Sequence, residues 1–394
     1  MRVLIIVLIF SIFFNILEAK EKKFLLTKVT YEAISKAQKL LDENKNTEAK
    51  IVLLDLETSS KIKKKLDKAY IRFYIGYFYT LSEESQKAVT YFKKAVAYNS
   101  LAPAQVENAY LNIVQLSMEL ERYEEALIYL KKLINTTKTP KPQYFVTKAN
   151  VEMILKNYKK VILDINMAIK INNKAKASWL KMKYYSFYML KDYKDAIAVL
   201  KKLIEINPTD KEYWLQLSSL YSVIDNFDKS LSSLDITRIA KLNLNEQELL
   251  RLISWLQYSK VPYKAATIMK VNINSKIIKI NEKNLNALGD LYYESKEYSQ
   301  AIQWYKKSAK LNKSSKTYFK IAKIYANERK YEDVILNLKL SLDTKDKKID
   351  GSKYLLLGKA YYELSNLVDA RKAFYKAKKF TKSKKMANAW LNYL

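Results

Sequence analysis

Along Asn281 to Lys313, NEKNLNALGDLYYESKEYSQAIQWYKKSAKLNK, apolar residues recur at the spacing of a helix face. Leu285, Leu288, Gly289 and Tyr292 fall on one side of a first helix. Tyr298, Ala301, Ile302 and Tyr305 do the same on a second, at i, i+3, i+4 and i+7. A tight turn joins the two. Gly289 and Ala301 lie twelve residues apart, and small side chains at both places let the two helices approach closely. The aromatics then fill the space around the contact.

The unit repeats. Aligning the small residue that opens each second helix gives Ala49, Ala88, Ala126, Val161, Ala196, Ser230, Ala266, Ala301, Val334 and Ala370, at intervals of 33 to 39 residues. Seven of these ten have an aromatic three residues earlier, from Tyr123 and Tyr158 to Tyr298 and Tyr331. The pattern predicts one helical hairpin per repeat, each hairpin stacked on the next. Gly76 with Ala88, Gly289 with Ala301 and Gly358 with Ala370 are the clearest small-residue pairs. Asn157, Asp192 and Asn226 occupy the turns, where a residue tolerant of positive φ suits the reversal. Pro103 and Pro142 should start first helices, where a missing N–H costs least. The loop TTKTPKP, Thr136 to Pro142, could hinge two halves, although contacts between repeats normally continue through such loops.

Both ends carry a signature of their own. Val3 to Leu17 is an apolar run preceded by Arg2, too short for an ordinary membrane span and right for a secretory signal. Residues 1–19 are therefore expected to be a signal peptide cleaved after Ala19, with an uncleaved inner-membrane anchor as the alternative. Residues 20–29 lead into a repeat region spanning 30–382. Ser383 to Leu394, SKKMANAWLNYL, reads as a final helix that caps the last hairpin, with Trp390 in the register of Leu285.

Composition narrows the chemistry. The chain of 394 residues is 49% hydrophobic, enough to bury a large core, and has only four Gly and five Pro. It has no Cys and no His, which removes disulfides, thiol nucleophiles, imidazole catalysis and Cys/His metal sites. Clustered glycines that could cradle a phosphate are also missing. Neither an enzyme nor a cofactor is expected. Asp290 and Glu294 share a helix face, as two catalytic acids could, but Lys323 one repeat on makes an ion pair between repeats the simpler reading. The net charge of +31 comes almost entirely from Lys, and the chain has only seven Arg. Readers of nucleic acid depend on Arg for bidentate contacts, so no nucleic-acid partner is expected. The charge favours acidic partners or an anionic surface without naming one.

The spacing of Leu-Gly, Tyr, Ala and a further aromatic in Asn281 to Lys313 resembles the tetratricopeptide repeat. That resemblance implies an all-α, right-handed superhelical solenoid of about ten hairpins whose first helices line a groove for peptides or protein tails. On the groove side it would place Tyr70, Phe73 and Tyr77, then Tyr185 and Tyr188, then Arg251, Trp255 and Tyr258, and beyond them Lys316 and Lys323. Trp255 lies off its helix's packing stripe of Leu250 and Ile253 with Arg251 beside it, as binding hot spots do.

A narrower resemblance extends over nearly the whole chain after the signal. DKAYIRFYIGYFY (Asp67 to Tyr79), KEYWLQLSSLYSVIDNFDKSL (Lys211 to Leu231), VPYKAA (Val261 to Ala266) and NAWLNYL (Asn388 to Leu394) are similar to periplasmic tetratricopeptide proteins encoded beside TonB, ExbB and ExbD. This implies a periplasmic, non-enzymatic scaffold that grips a protein partner, TonB or ExbD periplasmic segments among the candidates, as an accessory of TonB-type energy transduction. The rival expectations are a general assembly factor for another envelope complex and a binder of anionic surfaces driven by charge. The oligomeric state is left open.

Overall fold

The computed structural model describes residues 25–344 and 350–394, and among these there are 21 α-helices and no strand. The signal-peptide expectation falls on residues 1–19, outside the described region. The chain divides into two compact units, one ending at Ile206 and the other beginning at Asn207. The division does not fall at the loop Thr136 to Pro142, in keeping with contacts that continue through it. That loop only joins the end of one helix to Pro142, the first residue of the next.

The first unit contains five hairpins. They are α1 (Lys28–Asp42) with α2 (Asn46–Thr58), α3 (Lys65–Leu81) with α4 (Ser85–Val96), and α5 (Pro103–Glu119) with α6 (Tyr123–Thr136). Two more follow, α7 (Pro142–Ile154) with α8 (Tyr158–Asn172) and α9 (Ala177–Met189) with α10 (Tyr193–Ile206). The second unit begins with α11 (Lys211–Val223) and α12 (Phe227–Ile239), α13 (Glu246–Tyr258) and α14 (Pro262–Asn274), and α15 (Glu282–Glu294) and α16 (Tyr298–Leu311). It ends with α17 (Ser315–Asn327) and α18 (Tyr331–Leu342), α19 (Gly351–Glu363) and α20 (Leu367–Lys378), and the single helix α21 (Thr381–Tyr393). Pro103 and Pro142 each stand at a helix start, as does Pro262. No described helix is long and apolar enough to cross a membrane.

The small-residue register decides how each hairpin closes. All ten residues from Ala49 to Ala370, Ser230 included, have no measurable exposure. Where the facing position is glycine, a ring from the second helix lies directly over it. A Cβ on Gly76 would stand 3.1 Å from the Phe92 ring, one on Gly289 2.5 Å from Tyr305, and one on Gly358 2.6 Å from Phe374. Phe92, Tyr305 and Phe374 are fully buried, and burial of such a side chain contributes about 1.5–3 kcal/mol. In the hairpin of α11 and α12 the pair is polar instead, and the hydroxyls of Ser218 and Ser230 share a 3.1 Å hydrogen bond.

The hairpin turns correct one expectation. Positive φ falls on Lys156, Lys191 and Asp225, one residue before Asn157, Asp192 and Asn226. Asn157 and Asn226 have negative φ and sit at the N-caps of the second helices, where the Asn226 side chain accepts from the Lys229 N–H. The same left-handed position recurs at Glu83, Lys296 and Arg329. There the chain closes the first helix by a reversal in which the Glu297 N–H donates to the Tyr292 carbonyl, 2.9 Å, and the Lys296 N–H to Tyr293, 3.0 Å.

The last helix packs on the hairpin before it. The Trp390 ring stacks on Phe374 at 5.3 Å and 5°, and lies 5.2 Å from Tyr362. Ser383 approaches the backbone of Gly351 so closely that no Cβ fits there. Trp390 is the tenth residue of α21, which matches Leu291 in α15 rather than Leu285. The register read from spacing was displaced because only two residues separate α20 from α21.

Candidate functional site

Helix α13 explains itself from its sequence. Leu249, Leu252, Ile253 and Leu256 are buried, which turns Arg251, Trp255 and Tyr258 to the opposite side. Its start is held by a capping box: Asn245 Oδ1 accepts from the Glu248 N–H at 3.0 Å, and Glu248 Oε2 accepts from the Asn245 N–H at 2.7 Å. The same Glu248 oxygen accepts from Lys211 Nζ at 3.1 Å, which ties α13 to the start of α11.

Arg251, Trp255 and Tyr258 open onto one cleft of about 540 Å³. Its other walls are Ser218, Ser219, Ser222 and Ser230 from α11 and α12, with Ser254 from α13 itself. Trp255 is half-buried against Phe227, the first residue of α12, with ring centroids 5.0 Å apart. Tyr258 meets both rings edge-on, 5.6 Å from Phe227 and 5.8 Å from Trp255. The three rings form one surface in which Tyr258 is exposed, while Trp255 is partly buried and also packs against the core of its unit. Fixing an aromatic before a ligand arrives lowers the entropy lost on binding.

Charge and hydrogen-bonding capacity are unequally distributed in the cleft. Arg251 is the one charged side chain lining it, and its Nη1 makes a single 3.4 Å contact with Ser219 Oγ. Ser219 and Ser254 each donate their hydroxyl hydrogen to a carbonyl in their own helix, Leu215 and Leu250, at 2.9 Å. Their oxygens are left to accept. No carboxylate lines the cleft, so none of the five serines has a base beside it there. The arrangement suits gripping a chain: rings for an apolar side chain, a guanidinium for a carbonyl or carboxylate, and hydroxyls for backbone N–H groups.

The other expected groove residues lie in different settings. Tyr70, Phe73 and Tyr77 are only 9%, 7% and 9% exposed, within the core of the first unit, and are not a ligand surface. Burial raises the Tyr77 hydroxyl to about 12. Tyr185 and Tyr188 are exposed on α9, also in the first unit, and contact Tyr158 and Tyr193 at 6.1 and 6.2 Å. Lys316 and Lys323 are exposed on α17, with Lys323 lying 5.2 Å above the Phe319 ring. Lys323 is not the partner of Asp290. Lys320 takes that place at 2.5 Å, with the Tyr305 hydroxyl donating to the same oxygen, while Glu294 accepts from Gln257 at 2.8 Å.

Sequence reasoning missed the five serines and Phe227. A signal was present, since Ser230 is the one serine in the small-residue register and Ser218 stands twelve residues before it.

A family model described as tetratricopeptide repeat matches residues 107–138, 188–210 and 282–315. No curated protein matches the chain in sequence. Among solved structures, a tetratricopeptide repeat protein from Parabacteroides merdae is 14% identical, with 80% of this chain and 99% of that one covered and a TM-score of 0.38. YrrB, a tetratricopeptide protein described as having an unusual peptide-binding site, is 17% identical over 42% of this chain and 83% of its own, with a TM-score of 0.35. MamA from Desulfovibrio magneticus is 15% identical over 45% of this chain and 95% of its own, with a TM-score of 0.34. The chain thus carries tetratricopeptide repeats, set in an all-α fold of stacked helical hairpins.

Proposed function

We propose that this protein is a non-enzymatic scaffold that holds an extended segment of a partner protein in the cleft between α11 and α13. The observation that carries the reading is the half-buried Trp255, fixed by Phe227 and flanked by Arg251 and Tyr258 over an open volume of about 540 Å³. A tetratricopeptide scaffold is suited to protein–protein interaction. Export to the cell envelope is part of the proposal and is supported by the apolar run Val3 to Leu17 behind Arg2. The resemblance of Lys211 to Leu231 and of Val261 to Ala266 to the TonB-linked proteins makes periplasmic segments of TonB or ExbD the first partners to try.

Calorimetry with those segments tests it. An aromatic anchor at a hot spot is worth ≥ ~2 kcal/mol, so Trp255→Ala should weaken binding on the order of 30-fold, with helicity kept. Removing the charge of Lys316 and Lys323 should mainly slow association. Binding that is untouched by Trp255→Ala and abolished by the lysine changes would refute the cleft. Loss of helicity in Trp255→Ala would show the ring to be core.

A further inference from the structure

The last two helices concentrate the chain's positive charge. Between Arg371 and Lys385 there are eight basic side chains, all exposed, and Asp369 is the one carboxylate in α20 and α21. Asp369 is occupied by Lys372 at 3.1 Å. Some lysines elsewhere are answered across hairpins, as Lys50 is by Glu84 and Lys264 by Asp235.

Apolar side chains are interleaved with this charge. Val368, Lys372 and Tyr375 are i, i+4 and i+7 on α20, one exposed stripe that the exposed C-cap residue Lys379 continues. Lys382, Lys385, Met386 and Tyr393 form a second on α21. Val368 is 66% exposed, Tyr375 57%, Met386 51% and Tyr393 71%. The buried sides of the two helices are joined through Phe374 and Trp390, which leaves both stripes exposed.

We infer that α20 and α21 form a docking surface for an anionic lipid bilayer. Lysines placed beside exposed aromatic and aliphatic side chains match the boundary between anionic headgroups and acyl chains, with the long lysine stems reaching out to the headgroups. A nucleic acid would be met by lysine with a single arginine, Arg371, and by apolar side chains for which a phosphate backbone has no use. This surface is separate from the cleft on α13.

The test uses the full chain and two sets of vesicles, pure phosphatidylcholine and an equal mixture of phosphatidylcholine with phosphatidylglycerol. The quantity read is the ratio of the two partition coefficients, which cancels any insertion of the apolar Val3 to Leu17 sequence. Converting Lys378, Lys379, Lys382 and Lys385 to Gln should lower this ratio on the order of 1,000-fold, since each lysine near the surface counts for about one kcal/mol. The same change at the exposed Lys131, Lys132, Lys201 and Lys202 should leave it nearly intact. Amide exchange over Leu367 to Tyr393 should slow on the anionic vesicles alone. In high salt, Tyr375→Ser with Met386→Ser should lower the residual binding. An equal loss from both lysine sets would overturn the proposal, because binding would then follow net charge. Duplex DNA binding that the first lysine set abolishes, with vesicle partition unchanged, would overturn it in favour of a nucleic acid.

Discussion

At the residue scale, three glycines show how much of the packing is written in side-chain size. Gly289 is covered by a ring that cannot retreat, because Tyr305 is fully buried and its hydroxyl donates to Asp290 at 2.5 Å. Burial and that carboxylate both push the Tyr305 hydroxyl well above its ordinary range, so it remains a donor. Gly289→Ala gains up to ~1 kcal/mol of helix propensity and incurs ~1–3 kcal/mol of overpacking. At a 2.5 Å approach the overpacking wins, and the midpoint of thermal unfolding should fall. Gly76→Ala meets Phe92 at 3.1 Å, where the two effects nearly cancel, so its midpoint should hardly move. An unchanged midpoint for Gly289→Ala would disprove the contact. These pairs were legible because a glycine twelve residues before an alanine has few other uses in a helix. The left-handed turn residues were not. Lys156, Lys191 and Lys296 carry no local sign of positive φ, which closure of the hairpin imposes on whatever stands there.

For a single helix, legibility depends on whether it has a polar side. In α13 the buried leucines alternate with Arg251, Ser254 and Gln257, so the exposed face could be read directly. Helix α3 has no such contrast. Tyr70, Ile71, Phe73, Ile75, Tyr77 and Phe78 surround its axis and all are buried, so no face of the sequence pointed outward. Polar contacts between neighbouring hairpins were also hard to foresee, since Lys320 and Lys323 differ by less than one turn. One such contact braces the wall of the cleft. Asp235 on α12 accepts from Arg238 at 2.6 Å and from Lys264 on α14 at 2.7 Å. Partial burial would raise its carboxyl, but these two cations outweigh it and hold it below the usual aspartate value. A carboxyl lowered in the folded state contributes stability above its unfolded value of about 3.9, and loses it as pH falls through the folded value. Asp235→Asn should therefore be less stable than the parent near neutral pH, and the gap should close as pH falls through the lowered folded-state value. Thermal melts across that range would show it, and a gap independent of pH would assign the loss to packing.

Over the whole molecule, the hairpin count and order followed from the recurrence of one pattern. The division at Ile206 and Asn207 did not, because the flexibility suggested by a loop's composition says little about packing around it. The shortage of carboxylates has a consequence for how the protein can change over time. With 71 basic and 40 acidic side chains, several acids serve more than one cation. Glu84, for example, accepts from Lys50 at 2.8 Å and from Lys87 at 2.5 Å, and both hold its carboxyl below the usual range. Either lysine is redundant there, and losing one also relieves repulsion, whereas losing Glu84 strands two cations in a field of like charge. Mutational drift should thus run in one direction, with lysines replaceable and acids held in place. Glu84→Gln should lower the melting temperature in dilute buffer, Lys50→Gln or Lys87→Gln should barely alter it, and added salt should erase the difference. Equal effects from all three changes would show that the surplus of lysine protects nothing.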